Sequence, residues 1–167
     1  MRERFGYQNS MAVPKVLKVV LNVGIPSGSK AEHKETTVRE TLRMITGQEP
    51  VARKAKKSIS NFKIRKGQLI GYMVTLRGPR MYDFLERLTR LTFARVRDFR
   101  GLNPDSFDGG GNFTVGFREA VAFPEVQAGD MTRQHGLEVI VVTTAKNQDE
   151  GLALLKLMGF PFKKDKN

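Results

Sequence analysis

Apolar positions alternate with polar ones in four places along the chain. In residues 16–23, VLKVVLNV, Leu17, Val19, Leu21 and Val23 share one face, and Lys18 and Asn22 lie on the other beside Val16 and Val20. A period of two with one fully apolar face predicts a strand. Residues 69–77, LIGYMVTLR, repeat the pattern with Ile70, Tyr72, Val74 and Leu76 on one side and Gly71, Met73, Thr75 and Arg77 on the other. Phe113, Val115 and Phe117 alternate with Thr114, Gly116 and Arg118, which predicts another strand, and residues 137–144, LEVIVVTT, read as a central one. Val51 begins a short strand that runs into a loop.

Between these runs the period changes to that of a helix. Ser29 and Glu32 form a capping box behind a turn at Gly24–Gly28, and Val38, Leu42 and Ile45 give the helix its apolar face, with Gly47 and Pro50 at its end. Gly78-Pro79 opens a second helix whose buried stripe is Met81, Phe84, Leu85, Leu88 and Leu91. Asn147 caps a third, with Glu150 at the capping-box position, Leu152, Leu155 and Met158 facing inward, and Gly159 and Pro161 at its end. Strand and helix do not alternate strictly. The expected fold class is therefore α+β: a mostly antiparallel sheet with helices packed on one face and the other face open. The open face would show Lys18, Asn22, Thr75 and Arg77. The length suits a single domain, 1–167, with a projecting loop at about 54–68 and a frayed tail at 163–167.

Charge gives this outline a direction. The chain carries a formal +12, and residues 51–80 hold nine basic residues and no acidic one. A cationic stretch without interspersed acids marks a polyanion-binding surface, nucleic acid before membrane. Ser58, Ser60, Asn61 and Gln68 add neutral donors suited to phosphates and 2′-hydroxyls. Phe62 offers either a stacking surface for a base or a contact beneath its own loop, and the sequence leaves both open. In Arg95-Val96-Arg97-Asp98-Phe99-Arg100, an ion pair of Asp98 with a neighbouring arginine competes with RNA contact.

Little else in the chain carries chemistry. There are no cysteines, so disulfides, thiolate zinc sites and cysteine nucleophiles are excluded. The apolar runs are too short to cross a bilayer, and the N-terminal residues have no secretory pattern, so no membrane is expected as a partner. No phosphate-binding P-loop or G-x-S-x-G motif occurs. His33 and His135 lack metal-ligand spacing. Asp105 and Asp108 read as turn residues, and Gly109-Gly110-Gly111 as a flexible hairpin loop. The expectation is a binding protein with no cofactor, no metal and no catalysis.

Several motifs in order along the chain carry a resemblance. They are Lys56-Lys57-Ser58-Ile59-Ser60-Asn61-Phe62-Lys63, Val74-Thr75-Leu76-Arg77-Gly78, Arg97-Asp98-Phe99-Arg100-Gly101, Phe107-Asp108-Gly109, Phe123-Pro124-Glu125, Thr143-Thr144-Ala145 and Gly159-Phe160-Pro161-Phe162. Together they resemble the large-subunit ribosomal protein family that binds 5S rRNA, the "L five" family. The resemblance implies a non-enzymatic constituent of the central protuberance, cytoplasmic with the ribosome, whose partners are 5S rRNA, large-subunit rRNA, P-site tRNA and a small-subunit head protein.

By match, Asn22, Gly24, Thr75 and Arg77 would touch 5S rRNA, and Lys18, Lys54, Lys56 and Lys57 join them by charge and position. Ser58, Ser60, Asn61, Phe62, Lys63 and Arg65 match the loop that reaches the tRNA elbow. Residues 119–138 match the side that touches the small-subunit protein. Three features depart from the family pattern. The match begins near Phe5, so the family's N-terminal helix is short or missing. Gly110 replaces a usual Arg, and His135 replaces the Arg before Gly136. The competing readings are a free-standing RNA chaperone or regulatory RNA binder of the same fold, and an RNA-modifying enzyme.

Overall fold

The computed structural model describes residues 1–25, 31–126 and 135–163, without the side chains of 31–33. The expected turn at Gly24–Gly28 and the Ser29–Glu32 capping box therefore lie largely outside the described residues. The elements are α1 (Arg2–Phe5), β1 (Val16–Gly24), α2 (Ala31–Thr46), β2 (Val51–Lys54), β3 (Leu69–Leu76), α3 (Gly78–Arg87), α4 (Phe93–Arg95), β4 (Phe113–Phe117), β5 (Leu137–Thr143) and α5 (Gln148–Leu157), joined by short 3-10 and π turns. The strands form one sheet in the order β2-β3-β1-β5-β4, with β2 antiparallel to β3. This is the expected α+β class. β5 is an interior strand, but β1 holds the centre.

Alternation in the strands explains why the sheet has two unlike faces. Val19, Leu21 and Val23 of β1 are buried, as are Tyr72, Val74 and Leu76 of β3 and Leu137, Val139 and Val141 of β5. Between them Lys18, Val20, Asn22, Met73, Thr75, Glu138 and Ile140 are only half-buried. Each fully buried aliphatic side chain contributes about 1.5–3 kcal/mol, so the apolar set fixes which face turns inward. Leu17 is a correction. It is 47% exposed, and Val16 at 5% takes the inner position. The inward positions Val16 and Val19 are thus three residues apart, and the alternation is strict only from Val19 onward.

Two compact units divide the chain. One comprises Val20–Leu76 and Gly116–Val139. In it α2 packs on β3 through Val38, Leu42 and Ile45, all nearly inaccessible. The buried Thr41 and Thr46 turn their hydroxyls back onto the carbonyls of Thr37 and Leu42, at 2.8 and 2.6 Å, so neither polar group is stranded. Tyr72 donates to Glu35 Oε1 at 2.7 Å across the same contact, and burial followed by that carboxylate raises its phenol pKa. Gly47 closes α2 in the left-handed region, φ +64, with its N–H on Arg43 O at 2.8 Å. At Gly71 a Cβ would sit 2.3 Å from the Val23 carbonyl oxygen. Close approach of the β3 and β1 backbones requires a residue without a side chain.

The other unit comprises Met1–Val19, Arg77–Val115 and Ile140–Asn167. Pro79 in the first turn of α3 starts the helix, and Met81, Phe84, Leu85 and Leu88 are buried as expected. Leu91 is not; it is 48% exposed. A π turn over Leu88–Thr92 inserts an extra residue into the winding, which rotates Leu91 outward and brings Thr92 and Phe93 in. Phe93 stacks on Phe99 at 5.4 Å between ring centroids and meets the edge of Phe160 at 5.9 Å, and Phe113 meets Phe162 at 5.4 Å. Phe162 pairs with Leu102, and the Lys163 N–H donates to Leu102 O at 2.9 Å. The chain after α5 is thereby tied down at least this far.

In α5 the Asn147 side chain accepts from the Glu150 N–H at 2.9 Å, as the cap predicts, and Glu150 reaches back to the Lys146 N–H rather than to the cap residue itself. Its inner face is Gly151, Ala153 and Leu155, with Leu152 and Met158 half-buried, which corrects the expected stripe. A Cβ at Gly151 would lie 2.5 Å from Gly111 O, so small residues bring α5 onto the glycine turn.

That turn is not a flexible loop. Asp108 Oδ1 accepts from the N–H groups of Gly110 and Asn112 at 2.9 and 2.8 Å, and Oδ2 accepts from Asn112 Nδ2 at 2.8 Å. Asn112 Oδ1 in turn accepts from the Thr143 N–H at 3.0 Å, and the Thr143 hydroxyl donates to Gly111 O at 2.9 Å. The Asn112 side chain, then the backbone N–H groups of Asn112 and Gly110, holds Asp108 below its ordinary 3.8. The Tyr7 phenol, then the Lys146 N–H, holds Glu150 below its ordinary 4.5, and the Tyr7 phenol itself is pushed up to about 12.

Two outcomes are expected. Gly71→Ala should lower stability by about 1–3 kcal/mol in denaturant titration, as overpacking against a backbone does. Gly116→Ala, with nothing within 4 Å of its added methyl, should stay within about 0.5 kcal/mol of the parent. Both depressed carboxyls bind protons more readily when unfolded. Their contribution to stability is present above about pH 4 and lost as pH falls through the folded values. Melting temperature should be flat near neutrality and drop below about pH 4, with a shallower acid limb in Asp108→Ala.

Candidate nucleic-acid interface

All nine cations of residues 51–80 are exposed. They are Arg53, Lys54, Lys56, Lys57, Lys63, Arg65, Lys66, Arg77 and Arg80, and among the described residues none lies within ion-pairing distance of an acid. The contrast lies within the same chain. Arg39 and Arg43 of α2 both engage Glu49, and Arg90 engages Glu86 at 2.9 Å. Those three arginines are neutralised locally, and the nine cations of this stretch are not.

Residues 51–76 of the stretch are built as a hairpin that extends β2 and β3. β2 pairs Val51 with Met73 and Arg53 with Gly71, and the register then shifts at Arg53/Lys54. Beyond it Ala55 is buried, donating to Gln68 O at 2.8 Å and accepting from the Gly67 N–H at 2.9 Å. Ser58 Oγ accepts from the Lys66 N–H at 2.9 Å, and Gln68 Oε1 accepts from the Arg65 N–H at 3.0 Å. Ile59 and Ile64 exchange both backbone hydrogen bonds at 2.9 and 3.1 Å, and a 3-10 turn at Ser60–Phe62 forms the tip. Lys63 closes the tip in the left-handed region, φ 52. Phe62 is 69% exposed, which excludes packing beneath its own loop and leaves its ring available for stacking.

The candidate residues thus fall into places that only partly match their expected grouping. Ser58, Ser60, Asn61, Phe62, Lys63 and Arg65 cluster in the outer part of the hairpin. Lys54, Lys56 and Lys57 lie at its base, on the outgoing arm rather than on the open sheet face. Asn22, Gly24 and Thr75 belong to the same unit as the hairpin. Asn22 is half-buried on the outer face of β1, Gly24 ends that strand exposed, and Thr75 is half-buried on β3. Lys18 and Arg77 belong to the other unit, Lys18 half-buried and Arg77 exposed in the extended residue that precedes α3.

Two residues join this set that periodicity did not single out. Gln48 Nε2 donates to the Thr75 carbonyl at 3.4 Å, and Asn22 Nδ2 donates to Glu138 Oε2 at 3.4 Å. The arginine turn is also clearer. Arg95, Arg97, Asp98 and Arg100 are exposed, and no Asp98 ion pair forms among the described residues.

This arrangement of unpaired cations, amides and hydroxyls beside an open sheet face defines a nucleic-acid-binding protein of α+β type. Among the described residues no group of side chains suits a metal ion, and no helix is long and apolar enough to cross a membrane.

Comparison with known proteins supplies the family. Residues 9–65 match the family model described as ribosomal protein L5, and residues 69–162 match the model for the C-terminus of the same ribosomal family. The large ribosomal subunit protein uL5 of Fervidobacterium nodosum is 50% identical over 98% of this chain and 89% of its own. Its counterparts in Thermosipho africanus and Kosmotoga olearia are 51% and 52% identical over 98% of this chain and 91% and 90% of theirs. The chain belongs to the ribosomal protein L5 family. Its role is structural and not enzymatic, and its place is the ribosome.

Displacing condensed counterions should make RNA binding fall steeply with salt. A log–log slope corresponding to about five phosphates or more is expected, at roughly 0.7–0.9 per phosphate. A filter-binding series from low to high salt measures it, and a slope near zero would move the contact away from residues 51–80.

Proposed function

We propose that the protein binds 5S rRNA, helps attach it in the central protuberance of the large subunit, and contacts P-site tRNA and a small-subunit head protein. The observation that carries this reading is the set of nine exposed cations of residues 51–80 without acidic partners among the described residues, seven of them on a hairpin of the sheet and two, Arg77 and Arg80, at the start of α3. Family membership supports the ribosomal setting, and the finer partners rest on the motif match described above.

The two parts of the surface suit different partners. Asn22, Gly24, Thr75 and Arg77 stand on or beside sheet strands, where backbone position is fixed by neighbours; such a platform suits a permanent RNA. Lys18 adds charge on β1, and Lys54, Lys56 and Lys57 add it at the hairpin base. The tip, Ser58 to Arg65, carries hydroxyl, amide, aromatic and cationic groups at the end of a narrow hairpin, where a transient RNA can be met and released. Residues 119–138 are assigned to the small-subunit contact by motif match alone. A free-standing RNA chaperone or regulator of the same fold would use the same chemistry, and co-sedimentation with large subunits in high salt separates the two.

Thr75→Ala with Arg77→Ala should weaken 5S rRNA binding while the protein still melts cooperatively. Lys63→Ala with Arg65→Ala should leave 5S rRNA affinity nearly unchanged and speed tRNA dissociation from the P site of reconstituted ribosomes. Each lost charge-assisted contact should cost on the order of 1 kcal/mol. The opposite pattern, 5S rRNA binding lost with the tip and tRNA unaffected, would reverse the assignment.

A further inference from the structure

Glu138 has the wrong charge for a phosphate-binding face. It lies in β5 between the buried Leu137 and Val139, so its side chain takes the opposite, half-open face. Among the described residues no lysine or arginine pairs with it. Among the described residues its side chain has one hydrogen bond, from Asn22 Nδ2 to Oε2, at 3.4 Å and therefore long. An ionised carboxylate accepts at about four lone-pair positions and donates none, so most of its capacity is unused.

Facing RNA, such a group is repelled by phosphate and gains nothing from ring nitrogens or carbonyl oxygens. Only base N–H groups and 2′-hydroxyls can satisfy it. Among base donors, the guanine 2-amino group is the one available in both RNA contexts. It lies on the pairing edge of an unpaired guanine and in the minor groove of a paired one, and the A-form minor groove is wide and shallow enough for a sheet face. The amino groups of adenine and cytosine point to the deep, narrow major groove when paired. Asn22 completes the arrangement, because its amide is oriented by Glu138 and keeps its carbonyl and one N–H for the same nucleotide.

We propose that Glu138, oriented with Asn22, is a specificity-determining residue that accepts a hydrogen bond from the 2-amino group of a guanine. This rests on the reading of the open face as the 5S rRNA surface.

The test is nucleotide-analogue interference on 5S rRNA carrying sparse inosine, which lacks the 2-amino group, in parallel with sparse 2′-deoxy substitution. Wild-type protein should show inosine interference at one or two guanosines. Glu138→Gln, which keeps an acceptor oxygen but not the charge, should bind roughly tenfold more weakly, by loss of charge assistance, and should show weakened interference at the same guanosines. Three results would overturn the proposal. Glu138→Gln binding like wild type would reduce the carboxylate to a support for Asn22. Tighter binding of all RNAs by Glu138→Gln would make it a source of repulsion only. Interference from 2′-deoxy but not inosine positions would assign the bond to a ribose. The inosine arm uses wild-type protein and stands whether or not the variant folds. Failure of wild-type protein to prefer 5S rRNA over competitor would instead remove the underlying functional reading.

Discussion

Like charges on one hairpin repel, and the arrangement of residues 51–80 depends on overcoming that repulsion without using acids. Two exposed cations in contact cost about 1 kcal/mol in water, and the cost fades beyond about 8 Å at physiological ionic strength. The hairpin offsets it with backbone bonds rather than ion pairs. The β2–β3 ladder, the Ala55 bonds to Gly67 and Gln68, the Ser58–Lys66 bond and the Ile59–Ile64 pair fasten the arms at successive levels. Gly71 allows β3 to lie against the Val23 backbone beneath them. Fixing the strands locally leaves every cation free to meet an external anion, so the positive field is carried outward instead of being neutralised within the protein.

The faces of the sheet were legible because burial imposes a period of two wherever one side is apolar. Val74 and Leu76 needed nothing more. Leu17 failed because strand ends do not obey a period set by the interior, and Leu91 failed because a π turn changes the helical phase without any local signature such as proline. The glycine turn misled for a different reason. Three consecutive glycines suggest freedom, but Asp108 and Asn112 fix their backbone, and Gly111 is held by Thr143 across 32 positions of sequence. Close approaches at Gly71 and Gly151 are likewise three-dimensional facts, invisible as anything but a missing side chain.

Of the interface, the charge was legible because cations without acids are a property of composition. Its shape was not. Sequence could not decide whether Phe62 packed under its loop, whereas its exposure in the structure does. Gln48 and Glu138 escaped notice because their partners, Thr75 and Asn22, lie 27 and 116 positions away. An acid on a sheet face carries no meaning until its neighbours are known, and here the neighbour is an amide.

The central claim is that the sheet face holds 5S rRNA while the hairpin tip is left for a transient partner. The chain contains no cysteine, so single cysteines can be placed without background. Directed hydroxyl-radical probing from an iron chelate tethered at Met73→Cys on the sheet face, and separately at Ser60→Cys on the tip, measures which surface lies beside the RNA. Localised cleavage of 5S rRNA from position 73 and little from position 60 is the predicted result. Strong cleavage from position 60 with none from position 73 would contradict the account.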